Sequence, residues 1–509
     1  MKFRRGILIL TASLCAGWPL RAALRSPDLN VTLVVLEAGS RKPIPSRTHL
    51  TDPAGKAVRA DPLPFWRDHF VHPGTVELAL APGQYRYEVE RGPEYDAVTG
   101  SFEVEADRAT RLEVRLPRLV DLQREGWWSG DLHVHRPVRE IELLMQAEHL
   151  QMAPVITWWN NRNLWSTESI PERLLMNFDG PRFTQLMAGE DEREGGALLF
   201  FQRQRPLALA GSTREYPSPM KFVEAARAAD PQVWVDLEKP FWWDVPIWLA
   251  LARPDSIGLA NNHMCRTQMY ESEAWGRPRD AARLPPPRGN GFWSQEIYYH
   301  LLNCGLRIPP SAGSASGVLP NPVGYNRVYV HVEGRLNYEK WWEGLRAGRS
   351  FVTNGPLLRV RANGKLPGHV FTGRPGRPLR LELRIRLDTR EAIEGIEIVQ
   401  NGSVRRLAAS GSCDRAPRVE FTESGWCLVR VITREARTFR FASTAPFYVE
   451  MGEPKRPVRR ASAEFFLNWV RERKARVRLD DPQQLDEVLT YHQQAEQFWT
   501  EQVAGSVPS

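Results

Sequence analysis

Within this 509-residue chain the densest run of reactive side chains is Asp131-Leu132-His133-Val134-His135. If the segment is extended, a period of two puts His133 and His135 on one side, with Asp131 beside them. Two neutral imidazoles at a strand end can grip a single divalent ion, and Asp131 could ligate it or orient a ligand. His-x-His alone is a frequent accident, but here Trp127-Trp128 leads into it and a helix-forming segment comes after it. Downstream, Gly189-Glu190-Asp191 supplies carboxylates, with Glu192 nearby, Glu238-Lys239 joins an acid to an amine, and His263 comes directly after Asn261-Asn262. The candidate ligands are therefore His133, His135, Glu190, Asp191 and His263, a set that suits zinc, manganese or iron(II). Such an ion activates water near neutral pH for attack on an ester, amide or phosphate. Glu238 could be the base that orients this water, and Lys239 could stabilise an anionic transition state. The plainer readings are an ion pair for Glu238 and Lys239 and a hydrogen-bonded core histidine for His263. His149, His300 and His331 have no accompanying constellation and read as structural.

The elements that must position these residues can be read from periodicity. Residues 28–118 alternate apolar and polar between turn signals such as Pro53-Ala-Gly55 and Pro82-Gly83, which predicts a small β-sandwich. After Gly126 the pattern becomes strand then helix. Helices are expected over 138–150, 219–229 and 247–251, and strands over 152–157, 183–188, 197–201, 233–237 and 256–260. That alternation implies parallel βα units closing as a barrel over 120–326, with its site at the strand ends. Residues 327–452 are β-rich again, with Asn401-Gly402 as a hairpin signal. The end of the chain, 453–509, reads as helical over about 461–503. The expected fold class is multidomain α/β: a βα barrel between an N-terminal β-sandwich and a C-terminal β-rich domain with terminal helices.

Eleven of the 18 tryptophans fall between Trp127 and Trp293. Several flank the candidate ligands. Trp158 and Trp159 could form an aromatic platform for a sugar or flat ring, with Asn160, Arg162, Asn262 and Arg266 as polar contacts. The second reading of the chain is accordingly a catalytically inactive barrel that binds a carbohydrate or other cell-envelope ligand in a Trp-lined pocket. Core packing is the plainer role for these rings.

The N-terminus reads as a signal peptide over 1–23: a basic start (Lys2, Arg4, Arg5), an apolar run over 6–20, and Ala22-Ala23 as the cleavage site. A periplasmic or secreted location is expected, with no stable transmembrane span after cleavage. Removing that segment takes away Lys2, Arg4, Arg5 and Arg21 from a formal net charge of +8. The remaining charges are interspersed, which argues against a nucleic-acid partner; the partner expected from the candidate site is a small-molecule or glycan substrate. No Cys-x-x-Cys pair points to a thiolate zinc site, while Cys413 and Cys427 are spaced to bridge a hairpin.

Trp128-Ser-Gly-Asp-Leu-His-Val-His135 resembles the first motif of the PHP (polymerase and histidinol phosphatase) metallohydrolases, nearest to a branch of carbaryl-hydrolase-like exported proteins. Gly344-Leu-Arg-Ala-Gly-Arg-Ser-Phe-Val-Thr-Asn-Gly-Pro356 resembles that branch's closing segment, so the likeness spans roughly 120–360. It implies a distorted PHP-type βα barrel, one to three divalent ions and hydrolysis of phosphate esters or related bonds. Later motifs depart from the family. Thr157-Trp158-Trp159 stands where Thr-Asp-His is expected, Lys239-Pro240 replaces His-Pro, and Gly313-Ser-Ala-Ser-Gly317 lacks both late ligands. The resemblance thus implies a reduced, mononuclear site centred on His133 and His135. Separately, Ala81-Pro-Gly-Gln-Tyr-Arg-Tyr87 resembles the strand-turn-strand of transthyretin-like, carboxypeptidase-regulatory-type domains.

Overall fold

The computed structural model describes residues 29–407, 416–452 and 456–507. The expected leader and Cys413 lie outside them, and Cys427 is a free, buried thiol. The chain is mixed α/β, with about 35% strand against about 21% helix.

The β-branched segments after residue 30 form two sheets over one core. Val31–Glu37 pairs antiparallel with Thr75–Leu78 and parallel with Thr110–Leu116. The other sheet runs in spatial order Phe65–Trp66, His69–His72, Ser46–Thr51, Gly83–Glu90, Val98–Val104. Leu33, Val35, Phe70, Val89 and Val114, drawn from both sheets, fill the shared interior, as inward-facing alternate residues do in stacked sheets.

The central sheet has, among the described residues, seven strands in the order Arg162–Asn163, Ile156–Trp159, Ala188–Arg193, Gly196–Phe201, Trp234–Leu237, Ser256–Ala260, Pro310–Ala312. Helix Pro219–Ala229 falls where expected. The Ser218 side chain caps it and Pro219 occupies its first turn, both standard start signals. Three expectations change. The strands are not uniformly parallel: Gly196–Phe201 runs antiparallel to both neighbours, because Glu194-Gly195 turns the chain straight back where parallel pairing was expected. The strand expected over 183–188 divides into Phe183–Gln185, paired with Leu175–Asn177, and Ala188–Arg193. Helix 138–150 shrinks to Ile141–Ala147. Helix Gly289–Asn303 shows no sequence stripe, because Trp293, Ile297, Tyr298 and Leu301 bury it on several sides.

Residues 131–135 bridge the last strand of this sheet, Pro310–Ala312, to Ile156–Trp159, the strand next to its other end. Leu132 N donates to Ala312 O at 3.0 Å and His135 N to Ser316 O at 2.8 Å. On the other side, Asp131 N donates to Met152 O at 3.0 Å, and Ile156 N to Val134 O at 2.8 Å. Leu132 and Val134 point into apolar clusters, which leaves the odd-numbered residues to face the sheet interior.

The expected boundary at 326/327 does not separate two bodies. Arg327–His331 pairs with both Trp127–Gly130 and Ser350–Thr353, so the C-terminal sheet carries the strand that leads to the histidines. The terminal helical segment is two helices, Arg460–Lys474 and Pro482–Ala504. The second starts where Asp481 caps it and Pro482 enters its first turn. Among the described residues no helix is long and apolar enough to cross a membrane.

Candidate metal centre

The strand Trp127–Gly130 ends just before the histidines, and Asp131 anchors the backbone beyond it. Its fully buried carboxylate accepts three backbone N–H groups: His133 and Ser314 on Oδ1, both at 3.0 Å, and Gly324 on Oδ2 at 2.7 Å. Burial raises its pKa and these bonds oppose the rise. Asp131 is thereby a clamp joining 131–133 to the late segment 313–324, and not a ligand. The glycines of that late segment have a physical reason. A Cβ on Gly313 would stand 2.4 Å from the His133 Cβ, and one on Gly317 would stand 2.6 Å from His135 O, at a φ of +100°.

His133, His135 and Glu190 converge. The two Nε2 atoms lie 2.9 Å apart, and Glu190 Oε2 is 3.4 Å from the first and 3.1 Å from the second. Two imidazole nitrogens this close need a proton or a cation between them. The triangle of these three atoms has a circumscribed radius of about 1.8 Å, within reach of zinc–nitrogen bonds of about 2.0–2.1 Å. Glu190 Oε2 is buried and makes no well-formed hydrogen bond. The residues therefore fit a divalent ion.

Charge in this cluster is tightly balanced. Burial opposes an imidazolium at His133, but Glu190 and Glu238 outweigh it and raise its pKa to about 10. Burial lowers the pKa of His135, with His133 adding to the effect. Burial would raise Glu190, yet His133 and His135 hold it well below the usual carboxylate range.

Glu238 is the second carboxylate on His133, with Oε1 3.3 Å from Nδ1. It also accepts from Asn262 Nδ2 at 2.7 Å, from Trp242 Nε1 at 2.8 Å, and from Lys239 Nζ. Against its burial, Lys239 and His133 lower its pKa to about 2. A carboxylate so fully engaged orients His133 in the manner of an outer-shell partner and is a poor base. Lys239 is itself buried, paired with Glu238 and 4.5 Å from the Trp242 ring centre. The pair reads as a buried brace, not as acid–base machinery.

A further carboxylate at the cluster, which sequence reasoning noted only as nearby, is Glu192. Along Ala188–Arg193 it shares the face of Glu190, two residues away. Its Oε2 accepts from Trp159 Nε1 at 3.2 Å, and Asn160 bonds its backbone in both directions at 2.8 Å. Burial, then Glu190, raises its pKa to about 7, despite opposition from Lys239. Its parity with Glu190 was the available signal. His135, Trp159, Asn160 and Glu192 are the partly exposed members of the cluster and mark its open side.

Other candidates go elsewhere. Asp191 points to the opposite face of its strand and takes a two-pronged pair from Arg193 at 2.6 and 2.8 Å, so it cannot ligate. His263 is buried against Phe241 and Tyr270, outside the His133–His135–Glu190 group. Asn262 is spent on Glu238. Arg266 turns to the N-terminal sheet, 2.6 Å from Glu88 and 3.1 Å from Glu90. Trp158 is buried, packed where a side chain at residue 189 would stand. Trp159 does lie at the site, its ring 5.0 Å from that of His135, with Arg162 5.2 Å above it. The tryptophan platform thus reduces to Trp159, because Trp158, Trp242 and Trp243 are core. His149, His300 and His331 are structural, held by Gln123, Ser462 and the Trp127 ring.

No protein-family model and no curated protein matches this chain.

Proposed function

We propose that the chain is a metal-dependent hydrolase whose central sheet, bridged by residues 131–135, is a distorted PHP-type βα barrel. The observation that carries this reading is the convergence of His133 Nε2, His135 Nε2 and Glu190 Oε2. The first-motif resemblance and the bridging hydrogen bonds support it. A zinc, manganese or iron(II) ion held there would polarise a substrate oxygen and acidify water.

The chain's own residues supply the rest. Glu238 fixes the His133 ring through Nδ1, and Asn262, Lys239 and Trp242 fix Glu238. Glu192, on the open side and steadied by Trp159, is placed to take a proton from water and return it to a leaving group. Arg162, stacked over the Trp159 ring, offers a cation at the open side for a small ester, amide or phosphoester. The basic, apolar, small-residue order of 1–23 supports export, with hydrolysis in the periplasm or outside the cell.

The test is metal stoichiometry on chain purified without chelator and reconstituted with zinc, manganese or iron(II), with hydrolysis monitored on a panel of aryl esters and phosphoesters. His133→Ala with His135→Ala should lower stoichiometry by one ion and abolish turnover. Glu192→Gln should keep the ion and lower kcat by about a hundredfold or more, as loss of a general acid–base does. A double variant that keeps wild-type stoichiometry overturns the proposal.

A further inference from the structure

The N-terminal domain carries a second gathering of ligand-type side chains, on the hairpin formed by Phe65–Trp66 and His69–His72. The register pairs Thr48 with Phe70 and Trp66 with His69. It brings His49, on the adjacent strand Ser46–Thr51, beside His69, with ring centres 5.0 Å apart. Asp68, in the turn, reaches both: Oδ2 is 3.2 Å from His49 Nδ1, and Oδ1 is 2.9 Å from His69 Nδ1.

We propose that His49, Asp68 and His69 form a second divalent-metal site that ties this hairpin to the neighbouring strand. The ligand atoms lie within 4.8 Å of one another. His69 is buried while the Asp68 side chain is half exposed, so an ion can enter from solvent on the Asp68 side and keep an open coordination position. The outer arrangement also fits. His49 Nε2 is buried, makes no hydrogen bond, and faces Glu90 Oε2 at 3.7 Å. An imidazole bound through Nδ1 commonly turns its other N–H toward a carboxylate, and Glu90 is the carboxylate on that side. Arg47 and Arg266 stand nearby, but Glu148, Glu88 and Glu90 pair with them, so their charge is locally answered.

Two imidazoles and one carboxylate select zinc, nickel or copper(II) over calcium and magnesium, which prefer all-oxygen shells. The position gives the ion a role. Trp66 Nε1 donates to Leu319 O at 2.8 Å, and Phe65 O accepts from Arg136 at 3.2 Å. The hairpin therefore rests on segments adjoining His135 and Gly317, and an ion at its base would hold the N-terminal domain against the mouth of the central site.

The experiment uses full-length chain titrated with cobalt(II) and zinc, reading stoichiometry, cobalt absorption and Tm. Asp68→Asn and His69→Ala should each remove one ion per chain or weaken it by at least about tenfold, as loss of one of three ligands does. Both should leave hydrolysis by the His133 site in place. On the His133→Ala, His135→Ala background one ion should remain, and zinc should raise Tm there but not when Asp68→Asn is added. Asp68 is half exposed, so Asp68→Asn retains the fold, which Tm without metal verifies. If that background binds no ion, or if neither variant changes stoichiometry or affinity, the second site is refuted, whatever the outcome at the first.

Discussion

Asp131 is the residue whose removal most directly separates structural from ligating roles. Asp131→Ala strands three buried N–H groups, those of His133, Ser314 and Gly324. Each unsatisfied donor costs about 1–3 kcal/mol, and relief of a buried carboxylate's desolvation offsets part of the sum, for a net loss of about 3–5 kcal/mol. Asp131→Asn can keep the Oδ1 bonds to His133 and Ser314 and lose only the one to Gly324, so it should cost about 1–3 kcal/mol. Urea unfolding read by tryptophan fluorescence measures both, with an unchanged slope showing that the same surface is exposed. Because the clamp sets the backbone of His133, both variants should also weaken metal binding at the central site, Ala more than Asn. If both unfold within about 1 kcal/mol of wild type, or if Ala loses the ion while stability is untouched, Asp131 is not a clamp and the ligand reading returns.

The sequence is readable where local chemistry decides the outcome. Pro219–Ala229 and Ser256–Ala260 both match expectation, since a capped stripe fixes the first and a short buried run the second. It was misleading where a turn or a partner decides. Glu194-Gly195 converts an expected parallel pairing into a hairpin, and Gly289–Asn303 is hidden because neighbours bury it on several sides. In the site, His133, His135 and Glu190 were readable from type and spacing. Asp191 was not separable from Glu190 until strand parity placed it against Arg193. The roles of Asp131 and Glu238 were hidden for a common reason. Their partners at 314, 324 and 262 lie far along the chain, and no local pattern encodes a carboxylate's distant donors. The His49–Asp68–His69 group was invisible on the same ground, since only sheet register brings residue 49 to 68 and 69.

Gly313→Ala should push His133 away, since its Cβ would overlap the His133 Cβ at 2.4 Å. A stability loss of about 1–3 kcal/mol with weakened metal binding is expected, and unchanged zinc affinity would refute the packing argument. Mild acid should destabilise the chain through its buried neutral histidines. His72 is buried, bonded to Thr48 Oγ1 at 2.9 Å, and burial lowers its pKa to about 3. His263 is likewise lowered to about 3, by burial first and Lys239 second. In the unfolded chain both take a proton near an ordinary pKa of about 6.5, so below that pH the unfolded state binds more protons than the folded one. Their stability contribution is complete above the ordinary histidine value of about 6.5 and is lost as pH falls toward about 3. The slope approaches about 1.4 kcal/mol per pH unit for each histidine. Urea midpoints at about pH 7.5, 6.5 and 5.5 should fall in that order, and His72→Gln, which has no proton to gain, should flatten the trend. Glu192 and His133, raised to about 7 and about 10, work in the opposite sense in this window, so the histidine contribution is read from the difference between wild type and His72→Gln. If wild type and His72→Gln run parallel between about pH 7.5 and 5.5, His72 does not stay neutral in the folded chain and the reasoning fails.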